Sequence, residues 1–256
     1  MPDRVRERWG RGEVALNAWL SLEGASSAEV VARAGFDAVT VDLQHGAVTP
    51  YSLGAVVAAI EPAAVPFVRL PSNDAAPAMR ALDVGARGVI GPMMSSAEEA
   101  NDLARACRYP PRGIRSYGPM RSAFGSGREQ TERSNEAVLV FAQIETGEGL
   151  AAVRDICAVD GIDGVYVGPA DLSLSLGLSS FADFEDAELL EALDAILEAT
   201  RDLGVVPGIH APSAASAVAM ARRGFTFVGS AGDADALSSA LASSTERVRA
   251  ELGGGA

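Results

Sequence analysis

Eight short apolar runs, each separated from the next by a longer helix-forming stretch, recur along the whole of this 256-residue chain, and that alternation leaves few folds open. Parallel strands cannot be joined by tight turns, so strands that alternate with helices imply a parallel sheet with crossover connections. The predicted strands are Val14–Trp19, Ala38–Asp42, Pro66–Leu70, Gly88–Gly91, Val138–Ile144, Gly164–Val167, Val205–Ile209 and Phe225–Gly229. One strand-helix unit recurs every roughly 30 residues, and no Pro/Ser-rich linker separates two halves. The expected fold is therefore α/β, a single (β/α)8 TIM barrel over residues 1–256, an architecture that typically takes roughly 250 residues. A doubly wound open sheet is the alternative.

Local signals support the helices. Ser26 and Ser27 precede 28–34, Asn73 and Asp74 precede 75–84, and Ser95 and Ser96 precede 97–107, each offering an N-cap oxygen; Gly35, Gly85 and Gly224 close helices at C′ positions. The alternation breaks once, from Tyr109 to Asn135, where Pro110, Pro111, Gly113, Gly118, Pro119, Gly125 and Gly127 predict a long loop. It reads as a lid or entrance loop, with a disordered insertion over 124–133 as the alternative.

Composition narrows the chemistry. A net charge of −13 opposes nucleic acid or an anionic membrane as the main partner. The first thirteen residues carry four arginines without an apolar core, and no apolar run approaches roughly 18 residues, so the expectation is a cytoplasmic protein with no membrane span. Cys107 and Cys157 are far apart and read as reduced structural thiols. All 21 basic residues are arginine. The absence of lysine excludes Schiff-base aldolase chemistry, pyridoxal phosphate attachment and a phosphate-binding P-loop lysine. With only His45 and His210, a histidine-rich zinc or iron site is disfavoured, and a bound metal would rely on carboxylate oxygens, which suits Mg²⁺ or Mn²⁺.

In a barrel of this kind the active site lies at the C-terminal ends of the strands. Asp42 and His45 stand three apart after the second strand, a spacing for a carboxylate-imidazole general base; a helix-capping histidine is the plainer reading. Arg69 ends the third strand, where a guanidinium needs an anion, either a substrate or Asp42. Gln143 and Glu145 share one parity on the fifth strand, and Asp171 follows Gly168-Pro169 after the sixth. Glu145 and Asp171 together make a two-carboxylate site for a hard divalent cation; as a structural alternative, Asp171 is an N-cap. His210 ends the seventh strand at the same mouth, as a substrate contact or a loop histidine bonded to backbone. Gly147-Glu148-Gly149-Leu150-Ala151-Ala152 matches the dinucleotide pattern G-x-G-x-x-A, although Glu145 and Glu148 would flank a pyrophosphate with negative charge.

Taken in order, Gly35-Phe36-Asp37, Asp42-Leu43-Gln44-His45-Gly46, Val68-Arg69-Leu70-Pro71, Leu82-Asp83-Val84-Gly85-Ala86, Pro92-Met93, the run from Arg108 to Arg115, Gln143-Ile144-Glu145 and Gly168-Pro169-Ala170-Asp171-Leu172-Ser173 resemble the HpcH/HpaI aldolase family, the metal-dependent class II pyruvate aldolases. The resemblance covers nearly the whole chain. It implies a barrel of the phosphoenolpyruvate/pyruvate-binding type and reversible aldol cleavage of 4-hydroxy-2-oxo acids to pyruvate, or hydroxypyruvate, plus an aldehyde through a metal-stabilised enolate. It further implies Glu145 and Asp171 as ligands of Mg²⁺ or Mn²⁺, with Co²⁺ a further option. The Ala170 and Asp171 amides would hold the substrate carboxylate, Arg69 and Gln143 the keto oxygen, and Asp42 with His45 would be the acid/base pair. A homo-oligomer, a hexamer that exchanges the last helix, about 235–252, also follows from it. Gln44 departs from the Glu that several members carry. The alternatives are oxaloacetate decarboxylation or acyl-CoA cleavage through the same enolate, and a barrel that binds a dinucleotide or senses a 2-oxo acid.

Overall fold

A computed structural model describes residues 4–118 and 128–253. Its centre is a closed barrel in which β1 (Ala15–Leu20), β2 (Ala38–Asp42), β3 (Val65–Arg69), β4 (Gly88–Gly91), β5 (Leu139–Ile144), β6 (Gly164–Val167), β7 (Val206–His210) and β8 (Phe227–Gly232) pair in sequence order, all parallel, with β8 returning to β1. All eight predicted strands are present, displaced by at most a few residues, and the open-sheet alternative is overturned by the β1–β8 ladder. One register shift, opposite Asn17 and Ala18, leaves Ser230 of β8 unpaired as a bulge.

Side chains alternate across the barrel wall, so each strand contributes to two cores. Outward positions such as Val39, Val41, Val68, Val89, Val140, Ala142, Val165 and Val167 are buried against the helices. Among the latter are α2 (Ala25–Ala32), α3 (Leu53–Ile60), α4 (Ala75–Asp83), α5 (Ala97–Ala106), α10 (Ala187–Leu203) and α11 (Ala214–Arg223). Inward positions form a second cluster dominated by Phe67, Phe141, Tyr166 and Phe227. Below it, α1 (Arg4–Gly10) closes the N-terminal end: Val5 is fully buried, and the Trp9 ring lies 5.8 Å from Phe227 while its indole N–H donates to the Thr226 carbonyl at 2.9 Å.

The large inward rings fit because their neighbours are glycines. A Cβ on Gly88 would stand 2.2 Å from the Phe67 ring, and one on Gly164 would stand 2.4 Å from the Phe141 ring. Gly88→Ala is therefore expected to overpack the interior at a cost of about 3 kcal/mol, read as a lower midpoint of urea unfolding with an unchanged slope. An unchanged midpoint would show that the ring layer yields freely.

The helix caps divide. Ser96 accepts from the Glu99 amide at 3.2 Å, and Gly35, Gly85 and Gly224 all take positive φ, as expected. Instead of Ser26 or Ser27, Gly24 caps α2, which begins three residues earlier than predicted; the Ser27 hydroxyl donates to the Gly24 carbonyl at 2.8 Å. Asp74 sits at the α4 cap position, but its carboxylate accepts from the Ser72 hydroxyl, not from the helix.

The described residues of the 109–135 stretch are more ordered than its composition predicts. The Tyr109 amide donates to Asn135 Oδ1 at 2.7 Å and Asn135 Nδ2 returns a bond to the Tyr109 carbonyl at 3.1 Å, clasping the two ends together. Buried Arg115 pairs with Asp83 at 2.9 Å and stacks on the Tyr109 ring. Arg128–Ala137 is a helix, α6, which corrects the disordered reading of its part of 124–133. Residues 119–127 lie outside the described residues.

Candidate active site

The residues that gather at the C-terminal mouth are the inward positions one step beyond the aromatic layer. Parity places them there: Asn17 is followed inward by Trp19, Thr40 by Asp42, Phe67 by Arg69, Phe141 by Gln143 and Gly208 by His210. Register completes the arrangement, since Asp42 is paired with Arg69 and Gln143 with Tyr166 across adjacent strands. A cavity of about 210 Å³ opens among them, lined by Trp19, Arg69, Gln143, Asp171, Ala182 and His210 together with the Gly168–Ala170 turn.

Asp42 and Arg69 form a bidentate pair, Nε to Oδ1 at 2.9 Å and Nη2 to Oδ2 at 2.5 Å, with both residues buried. The Trp19 indole N–H donates to Asp42 Oδ2 at 3.1 Å, and the Trp19 ring centroid is 4.9 Å from the guanidinium carbon. Burial alone would raise the Asp42 pKa, but the guanidinium outweighs it and holds the carboxyl below its ordinary value. This arrangement corrects the expected carboxylate-imidazole pair. Asp42 is taken up by Arg69, Trp19 and the amides of Gln44 and His45, at 2.9 and 3.2 Å, so His45 is tied to it through its backbone while its side chain is exposed.

Glu145 is 2% exposed just beyond the end of β5. Its Oε1 accepts from the Met93 amide at 2.6 Å and its Oε2 from Gln143 Nε2 at 2.5 Å. Met93 reaches it from a left-handed backbone conformation, φ 54°, which costs a non-glycine residue energy and is maintained by that bond and its surroundings. Gly168 leaves the room: a Cβ there would lie 2.7 Å from Glu145 Oε2. Burial raises the Glu145 pKa, and the nearby Asp171 charge adds to it against the Met93 amide. Asp171 is exposed within the first turn of α9 (Pro169–Ser175), whose cap is Gly168, so the N-cap reading of Asp171 is corrected.

The Glu145 carboxylate, disfavoured by burial and by the Asp171 charge, forms with Asp171 a hard-oxygen donor set that a divalent cation would relieve, and buried Gln143 Oε1, without a partner, adds a third oxygen. No group of three or more His, Cys, Asp or Glu side chains suited to a metal occurs among the described residues. A cation at Glu145 and Asp171 would thus depend on Gln143 Oε1 and on substrate and solvent oxygens for the rest of its shell.

His210 belongs to a strand and is not the backbone-bonded loop histidine that was the alternative: its Nδ1 is buried without a partner and its ring meets Trp19 at 5.3 Å. The Gly147 motif also resolves. Gly149 packs where a Cβ would stand 2.3 Å from the Met94 carbonyl, the Gly149 amide is capped by Thr146 at 2.9 Å and the Gly147 amide by Ser175 at 2.9 Å. These donors are spent and α7 (Gly147–Ala151) is a single short turn, so the pyrophosphate cradle expected of a dinucleotide motif is absent from it.

Sequence reasoning missed Trp19, Tyr166 and Met93. The first two carry a usable signal, their place at or near the C-terminal end of a predicted strand, where the site is expected. Met93 carries none, because its role rests on a tertiary hydrogen bond from its backbone.

Residues 16–240 match the family model described as HpcH/HpaI aldolase/citrate lyase. A hydroxypyruvate/pyruvate aldolase of Rhizorhabdus wittichii is 41% identical over 93% of this chain and 95% of its own length. A 4-hydroxy-2-oxovalerate aldolase of Rhodococcus jostii is 38% identical over 78% of each chain. Among solved structures, an HpcH/HpaI aldolase/citrate lyase family protein of Burkholderia cenocepacia superposes with a TM-score of 0.88 at 31% identity, covering 96% of this chain and 98% of its own.

Proposed function

Because this chain belongs to the HpcH/HpaI aldolase/citrate lyase family, we propose that it uses a divalent cation to cleave 4-hydroxy-2-oxo acids reversibly to pyruvate, or hydroxypyruvate, and an aldehyde. It is an aldolase, a carbon-carbon lyase acting on small molecules. The observation that carries the proposed mechanism is the buried Glu145 carboxylate, acted on by the charges of Asp171 and Arg69, which both line the cavity.

Glu145 and Asp171 would hold Mg²⁺ or Mn²⁺, with Co²⁺ a further option, and the cation supplies positive charge that favours ionisation next to the substrate carbonyl. The amides of Ala170 and Asp171 lie in the first turn of α9, where helix N–H groups lack intrahelical acceptors, and they receive the substrate carboxylate. Arg69 spends Nε and Nη2 on Asp42, which leaves Nη1 to meet the keto oxygen together with the Gln143 amide. In cleavage the C4 hydroxyl loses its proton to His45, the C3–C4 electron pair becomes the enolate of the 2-oxo acid, and the aldehyde leaves. Arg69 and Gln143 stabilise the charge that develops. Asp42 orients both Arg69 and, through its amide, the His45 segment.

The direct test is exchange of pyruvate methyl protons with deuterated water. Exchange is expected to vanish in excess EDTA and to return with Mg²⁺ or Mn²⁺; full exchange in chelator rejects the reading.

The chain is read here as one aldolase domain over 1–256 that works as a homo-oligomer, a hexamer, in the cytoplasm. No helix among the described residues is long and apolar enough to cross a membrane. In support of assembly, α12 (Asp233–Glu251) has no buried residue and exposes Leu237, Leu241 and Val248. Beside its first turn runs an apolar groove of about 520 Å³ between α2 and β8, lined by Leu22, Val30, Val31, Phe36 and Ala231, where a neighbour's last helix would pack. Leu241→Glu with Val248→Glu should reduce the particle mass seen by light scattering to that of a smaller species; an unchanged mass rejects the exchanged helix.

A further inference from the structure

With the donor acid occupying Gln143, Glu145, Asp171 and the first turn of α9, the acceptor is left with the rest of the cavity wall, and that part has a distinct chemistry. It consists of Trp19, Tyr166, Ala182, His210 and Pro212, apolar surfaces with one polar ring among them. The whole cavity is about 210 Å³, below the roughly 300–1,000 Å³ of sites that take drug-sized ligands, so the acceptor beside a three-carbon donor is short.

His210 has no assigned part in the chemistry above, yet it is built into this wall with care. Its Nδ1 is buried without a partner, and so is the Tyr166 hydroxyl. Both crowd the open side of Gly229: a Cβ there would be 2.5 Å from Tyr166 Oη and 3.2 Å from His210 Nδ1. With Nδ1 buried and unpartnered, Nε2 is the ring nitrogen left to meet a ligand in the cavity. Burial, and then the Arg69 charge, lower the His210 pKa and keep the ring neutral, with one proton to place. Arg69, the one cation among the described residues of the lining, is already paired with Asp42, so the wall offers a neutral donor and nothing to balance an anionic acceptor.

We propose that His210 is a specificity-determining residue that donates a hydrogen bond to an oxygen on the carbon next to the acceptor carbonyl, selecting short neutral 2-hydroxyaldehydes. This rests on the aldolase reading above. An apolar acceptor of the same size leaves the imidazole donor unpaired in a dry wall, whereas a hydroxylated one satisfies it, a difference that corresponds to about 10- to 100-fold in kcat/KM.

The test uses the metal-loaded enzyme with pyruvate and two isosteric acceptors, glycolaldehyde and propanal. Wild type should favour glycolaldehyde by that factor. His210→Leu should bring the ratio near one while retaining propanal turnover. Pyruvate proton exchange needs no acceptor and should be the same in both proteins; its loss in wild type would count against the aldolase reading itself. With exchange intact, a wild-type ratio near one, or a ratio that His210→Leu leaves unchanged, overturns the proposal.

Discussion

Glu145→Gln should lower metal-dependent exchange of pyruvate protons by about 10³-fold, the scale lost when a preorganised charge-stabilising element leaves a dry site. The substitution keeps the shape and removes one of two carboxylates. Its effect on folding should be opposite in sign. Burial and Asp171 raise the Glu145 pKa, so the ionised group opposes folding of the metal-free protein. A carboxyl with a raised folded pKa contributes stability at low pH that is lost as pH rises through the folded value. In chelator near pH 8 the variant should therefore melt no lower than wild type, with the advantage fading as pH falls below the ordinary carboxylate value of about 4.3. A metal-free variant that melts well below wild type at pH 8 would mean that Glu145 serves the fold and not a cation.

Arg69→Ala should be damaging twice. It removes the guanidinium that faces the developing enolate, costing about 10²- to 10³-fold in kcat, and it strands Asp42, whose side chain is 3% exposed, as an unpaired buried charge, at about 3–5 kcal/mol. The second loss has its own signature. Asp42 is held below its ordinary pKa by Arg69, so the pair stabilises the fold above the unfolded value near 3.9 and that contribution is lost as pH falls through the lower folded value. The Arg69→Met, Asp42→Asn double variant removes both charges and should regain most of the stability while remaining inactive. If the double variant melts as low as Arg69→Ala, the stranded charge is not the cause; if it regains turnover, Arg69 is not needed for the enolate.

Much of the site was legible because a strand has a period of two and a barrel has one productive end. Arg69, Gln143, Glu145, Asp171 and His210 each follow an apolar run, so once eight runs are recognised the polar residues after them converge by topology. The lysine-free composition removes covalent enolate chemistry without any coordinates. Spacing misled where it was used to infer pairing: Asp42 and His45 are three apart in sequence, but Arg69, across a ladder bond on the next strand, binds the carboxylate first. Trp19 was passed over because an aromatic at the end of a strand looks the same whether it packs in the core or cradles a guanidinium.

What the sequence determined by itself is the order of the strands, their inward and outward faces, the lack of a lysine nucleophile and the family to which those features belong. All of these are local or compositional. Only the tertiary structure decided which groups pair, that Asp42 belongs to Arg69, that Met93 bends its backbone to reach Glu145 and that Tyr166 and His210 both crowd Gly229. Barrel closure sets those contacts between residues distant in the chain, and their strength depends on burial and on angstrom-scale separations that no spacing along a sequence encodes.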